Sequence, residues 1–333
     1  MSESGDYSPA PWSAQHDFAN ARQAYDQHAG RSYDTAVAAG KTATDLLPES
    51  LTTNSDAPLS VDCDETGSMG EWPATIFSKL PYLYHEAKTE YLGKGVEISF
   101  GAFGDANCQE KFPAQARPFG KEAELETRLK ELVIEGGGGG NGGESAELLA
   151  LYRANCVFMP KAVNTPVHII ITDEKPFQQV SKADAARVHV KLQKPMISTE
   201  EIFEALKIKY SVYLILKPYE PNASDDNAMN REVRACWRKY IDDDHVAYLP
   251  DPQRVMDVIL GILARETGRL DYFRGEIEGR QTPAQVATTY KALTTVHALG
   301  AGTKGQKKLP ARGAGAPSTM FGGGRGKKSG DLL

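Results

Sequence analysis

Short apolar runs alternate with stretches of helical periodicity between residues 59 and 216, and this alternation constrains the fold more than any other feature. The clearest apolar runs are Leu59–Cys63, Val96–Phe103, Val167–Thr172 and Tyr210–Leu216, each long enough for one strand. Strands separated by helices pair in parallel, because each helix returns the chain to the same edge of the sheet. The pattern therefore predicts an α/β fold in which a doubly wound, mostly parallel sheet carries helices on both faces.

The flanking sequence predicts additional helices at both ends of this α/β domain. We expect residues 1–57 to form a helical extension and linker, residues 58–218 the α/β domain, and residues 219–299 a C-terminal helical extension. That C-terminal extension either folds as a separate domain or packs on the sheet. Residues 300–333 are rich in Gly, Lys and Arg and poor in apolar residues, so this tail is expected to be disordered.

Composition and charge narrow the class of protein. The net charge of -6 gives the chain no general attraction to nucleic acid or anionic lipid, so only the basic tail is a weak candidate for nucleic-acid contact. The chain starts without a basic segment followed by an apolar one, and its apolar runs are too short to span a bilayer. We therefore expect a cytoplasmic protein without a membrane partner. The four cysteines lie far apart, which favours free thiols.

Polar side chains crowd the turn after the first predicted strand. Asp64, Thr66 and Ser68 follow at two-residue steps, and Gly67 lets the chain bend between them. One carboxylate and two hydroxyls suit a hard divalent cation such as Mg²⁺, which prefers oxygen ligands in octahedral geometry. Asp173 follows another apolar strand. Because ligands bind beyond the carboxyl ends of the strands in doubly wound sheets, we expect Asp64 and Asp173 to meet at one edge.

These motifs together resemble the von Willebrand factor type A (VWA) domain of the intracellular bacterial or phage type. That family has a metal-ion-dependent adhesion site with the pattern Asp-x-Ser-x-Ser, a later Thr, and a later Asp after an apolar strand. Asp64–Ser68 is similar to the first part with Thr66 in place of the first Ser, and Ile169–Asp173 is similar to the last. Phe103–Asp105 resembles the phenylalanine–glycine–aspartate ending of the second VWA strand. The resemblance covers residues 58–218.

The resemblance implies a set of metal ligands. Mg²⁺, or Mn²⁺ or Ca²⁺ in its place, would be held by four residues, the last of them through water: Asp64, Thr66, Ser68 and Asp173. The loop where the family has its later Thr is glycine-rich here and contains no threonine. Asn141 or Ser145 would then supply the further oxygen, directly or through water. Glu144 and Ser145 are each either a helix-start residue or a contact at the rim of the site, and we favour the helix start for both.

Two further carboxylates lie beside the predicted ligands. Asp62 precedes Asp64 by two residues and points to the same face of the strand. A buried carboxylate at that position needs a partner or a raised pKa, and we expect Asp62 to support the metal ligands from behind. Glu174 follows Asp173, and it either flanks the cation or lies in solvent.

Asp62 also supports a second interpretation from a different functional class. The stretch from Asp62 to Thr66 is similar to the Asp-x-Asp-x-Thr pattern of haloacid dehalogenase-like phosphatases. In that family Asp62 would be the nucleophile, Asp64 the general acid or base, and Mg²⁺ would hold the phosphate. The second predicted strand, however, ends in Gly104-Asp105 where that family has Ser or Thr, and no lysine is clearly placed for its later motif.

The VWA resemblance implies binding rather than catalysis. A cation with an open coordination position would accept an acidic side chain from a protein partner, and no nucleophile–base pair is visible in the sequence. We therefore expect an adaptor or scaffold and not an enzyme. Because many intracellular bacterial VWA proteins work beside MoxR-type AAA+ ATPases, such an ATPase is a candidate partner. A third alternative is a degenerate VWA scaffold that binds no metal.

Overall fold

A computed structural model describes residues 40–70, 72–108, 110–136, 143–164, 166–218, 227–249 and 251–298. The strands are β1 Leu51–Thr52, β2 Leu59–Asp64, β3 Ile98–Phe103, β4 Ala114–Ala116, β5 Val157–Phe158, β6 Val167–Thr172, β7 Gln179–Ser181, β8 Met196–Ser198, β9 Ser211–Leu216 and β10 Val246–Tyr248. The α-helices are α1 Ala43–Leu46, α2 Trp72–Lys79, α3 Leu83–Glu86, α4 Ala123–Lys130, α5 Ala146–Cys156, α6 Lys182–Arg187, α7 Thr199–Lys209, α8 Ala228–Trp237, α9 Val255–Thr267, α10 Leu270–Arg280, α11 Pro283–Ala292 and α12 Thr294–Ala298. Shorter 3-10 segments are Gly67–Met69, Leu80–Tyr82, Ala106–Cys108, Asp243–His245 and Pro252–Arg254, and a π-helical turn is Ala87–Tyr91.

Six strands form the central sheet in the order β10-β9-β6-β2-β3-β4. All neighbours are parallel except β3 and β4, which are antiparallel. The register places Asp64 opposite Phe103 and Thr172 opposite Leu216. The carboxyl ends of β2, β3, β6 and β9 therefore lie along one edge of the sheet, as the doubly wound arrangement requires. The fold class predicted from the sequence is confirmed.

Helices cover both faces of this sheet, and the strands are buried on each side. One face packs on α2, α3, α4, α9 and α10, with alternate residues of β2 such as Val61 and Cys63 pointing into that layer. The opposite face packs on α5, α6, α7 and α8, and receives residues such as Ile170 and Leu214. Because the side chains of a strand alternate between faces, one sheet separates two hydrophobic cores.

The C-terminal region packs on the sheet and adds to it. Strand β10 pairs in parallel with β9 through Val246 and Tyr248, so the expected helical extension also supplies the edge strand. Helix α9 is buried along most of its length in the same core as β2 and β6. Of the two alternatives for this region, packing on the sheet is therefore the one observed. The expected N-terminal helices before residue 40 and the tail after residue 298 lie outside the described residues.

Within the described ranges, every helix is too short or too polar to cross a lipid bilayer.

A buried ion pair anchors the middle of β2. Asp62 accepts hydrogen bonds from Arg153 of α5, at 2.5 Å to Oδ1 and 3.1 Å to Oδ2, and lies 2.9 Å from Nε2 of His168. Burial alone raises the pKa of Asp62, but the charges of Arg153 and His168 hold the pKa below its usual value. Opposite Asp62 stands Gly101, where an added Cβ would lie 2.4 Å from Oδ1. Asp62 is therefore neutralised inside the fold, which corrects the expectation that it supports the metal ligands.

Replacing Arg153 by Met should destabilise the fold strongly. The substitution leaves the Asp62 carboxylate buried without its main counter-charge, and breaking such a pair costs about 3–5 kcal/mol. Urea unfolding monitored by circular dichroism measures this loss. Arg274→Met is the control, because Arg274 forms an exposed ion pair with Asp271 at 4.0 Å and its loss should be nearly neutral. Equal midpoints for the two variants would contradict the assigned role of Arg153.

Candidate metal centre

Three segments distant in sequence converge at the carboxyl edge of the sheet. Asp64 ends β2, Glu144 precedes α5, and Asp173 follows β6. One carboxylate oxygen from each lies within 4.8 Å of the others, and all three residues are buried. This group, which we call the acidic triad, is completed by the hydroxyls of Thr66 and Ser68 on the turn after β2. The structure thus brings together the four ligands predicted from the sequence and adds Glu144.

The backbone explains how Glu144 reaches this position. Its amide donates to the carbonyl of Lys175, beyond β6, at 3.0 Å. The next amide, of Ser145, donates to the carbonyl of Gly104, beyond β3, at 2.9 Å. These two bonds fix the loop between the ends of both strands, and helix α5 begins only at Ala146. The interpretation of Glu144 as a helix-start residue was therefore wrong, because its side chain turns into the triad.

Hydroxyl protons are too few for the oxygens that meet here. Asp64 Oδ1 lies 2.8 Å from the Thr66 hydroxyl and Asp64 Oδ2 lies 2.7 Å from that of Thr172. Glu144 Oε1 is in contact with the Thr66 hydroxyl and 3.1 Å from that of Ser68, which also lies 2.8 Å from Oδ1 of Asp173. Each hydroxyl has one proton, so Thr66 and Ser68 cannot donate to all three carboxylates. The excess of lone pairs fits a bound cation.

The spacing of these oxygens also fits a small divalent ion. Oγ1 of Thr66 and Oγ of Ser68 are 3.2 Å apart, and Glu144 Oε1 is close to both. Adjacent ligands of octahedral Mg²⁺, at roughly 2.0–2.1 Å from the ion, lie about 2.9 Å from each other. The separations of the Ser68 hydroxyl from the Thr66 hydroxyl and from Glu144 Oε1, 3.2 Å and 3.1 Å, are thus close to the edge of such an octahedron. Gly67 and Ser68 are only partly buried, so the triad is approached from the side of this turn.

Lys217, which follows β9, places a positive charge against the triad. Its Nζ donates to Oδ2 of Asp173 at 2.6 Å and to the carbonyl of Ser68 at 2.9 Å, and it lies 5.7 Å from the centre of the Trp72 ring. Three carboxylates and one ammonium leave a formal charge of two negative units when all are ionised. A divalent cation would neutralise that charge.

Burial and mutual repulsion raise the pKa values of two carboxyls of the triad, Asp64 and Glu144. Burial is the largest cause for Asp64, to which the charge of Asp173 adds. The pKa of Glu144 is raised well above its usual value by burial and then by the charge of Asp64. Both shifts reflect burial and a local excess of negative charge, and a bound cation would reverse them.

Three other residues expected at the site, Ser145, Glu174 and Asp62, have hydrogen-bond partners outside the triad. Ser145 Oγ accepts the amide of Ala106 at 3.0 Å, and Asn141 lies outside the described residues. Glu174 is half-buried and its carboxylate accepts the amide of Lys175 at 2.9 Å. Asp62 is engaged by the ion pair inside the sheet, so the arrangement does not fit the phosphatase alternative, in which Asp62 would have to reach a phosphate.

Sequence reasoning missed Thr172 and Lys217, whose side chains form hydrogen bonds with Asp64 and Asp173. Thr172 is the last residue of β6 and precedes Asp173, so its position at the strand end was a usable signal. Lys217 follows β9 directly, at the same edge of the sheet. A lysine after an apolar strand is common, and only the pairing of β9 with β6 shows which carboxylate it meets.

A second buried carboxyl lies beside the site. Glu110 Oε2 accepts the amide of Asp105 at 2.5 Å and packs over Gly104, where an added Cβ would lie 1.9 Å from that oxygen. Burial is the main cause that raises the pKa of Glu110 to about 8, and the charge of Glu135 contributes. The protonated form is therefore favoured in the folded protein between the ordinary pKa of 4.5 and about 8.

Glu110→Gln should reduce the loss of stability with rising pH. A carboxyl with a raised folded pKa contributes stability that is complete below pH 4.5 and is lost as pH rises towards 8, at up to about 1.4 kcal/mol per pH unit. Glutamine stays neutral and removes this one contribution. Urea unfolding at pH 5, 6.5 and 8 measures it, with the exposed Glu124→Gln as control. Parallel pH profiles for wild type and Glu110→Gln would show that Glu110 is ionised in the folded state.

Comparison with known proteins gives only distant similarities. The chain matches no protein-family model and no curated protein. Among solved structures, the chain is similar to two crystal structures of the pilus adhesin SpaC from Lactobacillus rhamnosus GG, each with a TM-score of 0.43. One of the two is in an open conformation. Identity is 12% and 11%, over 66% and 68% of this chain and 31% of the adhesin. Proximal thread matrix protein 1 of the mussel byssus has a TM-score of 0.40 at 12% identity, over 64% of this chain and 48% of its own. The aligned part spans less than a third of the adhesin, and similarities this distant carry no functional argument.

Proposed function

We propose that this chain is a divalent-cation-dependent protein-binding module of the VWA type. One observation carries the proposal: three buried carboxylates and two hydroxyls, from three distant segments, converge at the carboxyl edge of a doubly wound sheet. The oxygen-only donor set favours Mg²⁺, with Mn²⁺ or Ca²⁺ as substitutes. The motifs after β2 and β6 follow in the order that the VWA resemblance implies. Glu144 lies in the loop where that family has its threonine.

Each residue has a role in this proposal. Thr66, Ser68 and Glu144 present the oxygens that face one another most closely and would hold the cation. Asp64 and Asp173 accept hydrogen bonds from the two hydroxyls, orient them, and add the charge that attracts the ion. The bound cation would act as a Lewis acid that accepts a carboxylate of a protein partner. That carboxylate would enter past Ser68, the partly exposed member of the group.

An adaptor or scaffold role follows from this chemistry. A cation that binds an acidic side chain joins two proteins without a covalent step, so no catalytic residue is assigned. The VWA resemblance suggests a MoxR-type AAA+ ATPase as one partner and the cytoplasm as the location. The basic tail remains a weak candidate for nucleic-acid contact.

Calorimetric titration tests the cation site. We expect wild-type protein, after treatment with chelator, to bind one Mg²⁺ or Mn²⁺ per chain, and Glu144→Gln to weaken binding at least about tenfold because one charged ligand is lost. Glu147→Gln is the matched control, since Glu147 is buried one turn away but accepts the Phe177 amide at 3.1 Å outside the triad. Absence of Mg²⁺, Mn²⁺ and Ca²⁺ binding by the folded wild type would favour the degenerate scaffold instead.

Acetate tests the open coordination position. When Mn²⁺ occupies the site, paramagnetic relaxation of the acetate methyl protons should increase above that of Mn²⁺-free protein, because acetate approaches the ion. Asp64→Asn should abolish the increase together with cation binding. A cation that binds tightly to wild type without any effect on acetate relaxation would rule out carboxylate capture. Hydrolysis of a small aryl phosphate that depends on Mg²⁺ and is lost in Asp62→Asn would instead restore the phosphatase alternative.

A further inference from the structure

We propose that Lys217, paired with Asp173, is an internal counter-charge that offsets the negative charge added to the triad by Glu144 and thereby allows the cation site to accept an anionic ligand. The inference deepens the proposed function and rests on it. Lys217 would be a positioning residue, because it acts on the cation through Asp173 and through its charge, without binding the cation itself.

Lys217 is held rigidly at the back of the triad. The residue is 4% exposed, and its two hydrogen bonds join Asp173, after β6, to the Ser68 carbonyl on the turn after β2. Asp173 consequently points one oxygen at Lys217 and the other, at 2.8 Å, at the Ser68 hydroxyl. The ammonium thus fixes both the aspartate and the turn that carries the hydroxyl ligands.

The charges explain why an ammonium is needed here. Asp64 and Asp173 alone would balance a divalent cation, leaving a neutral site that still has ligand positions for a carboxylate. Glu144 adds a third negative charge, and Lys217 restores the balance. Without Lys217 the cation-loaded site would carry one net negative charge in a poorly solvated environment, where repulsion of an incoming carboxylate is strong.

A structural role alone makes a different prediction. If Lys217 served only to tie two loops together, its loss would weaken cation binding and acetate contact alike. If it serves as a counter-charge, its loss makes the triad more negative, which strengthens cation binding while excluding acetate. The two roles therefore predict opposite changes in cation affinity.

The experiment compares Lys217→Met, Lys217→Arg and the double variant Glu144→Gln/Lys217→Met in the full chain, using Mn²⁺ and acetate as probes. We expect Lys217→Met to bind Mn²⁺ at least about tenfold more tightly and to lose the acetate relaxation effect. Lys217→Arg should retain wild-type behaviour, since it keeps the charge. The double variant should recover the acetate effect, because it removes one charge of each sign.

Lys175→Met is the matched control. Lys175 lies two residues beyond Asp173, but its ammonium pairs with Glu232 at the surface, with a quarter of the side chain exposed. Its removal should change Mn²⁺ affinity less than about twofold, because solvent screens the charge. Weaker Mn²⁺ binding by Lys217→Met, or a double variant that remains unable to contact acetate, would overturn the counter-charge role.

Thermal melting of the metal-free proteins separates this inference from the proposed function. Lys217→Met should lower the melting temperature, and adding Glu144→Gln should restore part of the loss. If the melting temperatures change in this way but the wild type binds no cation, the proposed function is refuted and the charge compensation between Lys217 and Glu144 still holds. A double variant that melts no higher than Lys217→Met would refute the pairing, whatever the cation affinity of the wild type.

Discussion

Repulsion between buried carboxylates is the main constraint on the structure at the carboxyl edge of this sheet, because their negative charges have to be compensated there. Parallel pairing of β2 with β6 brings Asp64 and Asp173 to the same edge, and the loop before α5 adds Glu144 between them. Two backbone hydrogen bonds hold that loop in place and fix the backbone from which the third carboxylate extends. Hydroxyls and one ammonium satisfy part of the negative charge. The rest of the local structure, including the direction of each carboxylate, follows from how these few protons are shared.

Strand β2 carries two aspartates that share a face and a spacing yet have opposite roles. Asp62 lies two residues further inside the strand, where Arg153 of α5 and His168 of β6 bind its carboxylate. A glycine on the neighbouring strand β3 leaves room for the guanidinium. Asp64 is at the strand end, beyond the reach of that arginine, and meets hydroxyls and other carboxylates instead. A nucleophile has to contact its substrate, and a doubly engaged carboxylate inside a sheet does not. The difference of two residues therefore separates a charge neutralised inside the sheet from a carboxylate of the candidate metal centre.

The sequence predicted the elements whose signal is local. Alternation of apolar and helical segments identified β2, β3, β6 and β9, and polar residues at strand ends identified Asp64 and Asp173. Strand β10 was not expected, because three residues are too few for a periodic signal and their pairing with β9 is a tertiary contact. Lys217 was missed, and Glu144 was assigned to a helix start instead of the rim of the site, for the same kind of reason. Glu144 precedes a helix and Lys217 follows a strand, and charged residues are common at both kinds of position. Only the order of strands in the sheet shows that both residues lie beside Asp173.

Charge compensation also connects the stability of this edge with its proposed binding. The triad holds its carboxylates together against repulsion, and the pKa of Glu144 is raised first by burial and then by the charge of Asp64. A cation that binds there would relieve repulsion between carboxylates that are distant in sequence, as between Asp64 and Asp173. Part of the free energy of cation binding would therefore come from reduced repulsion between the carboxylates of the protein. Such a site connects three loops through one cation. Binding of a partner's carboxylate would therefore also change the interactions at the start of α5 and at the end of β6.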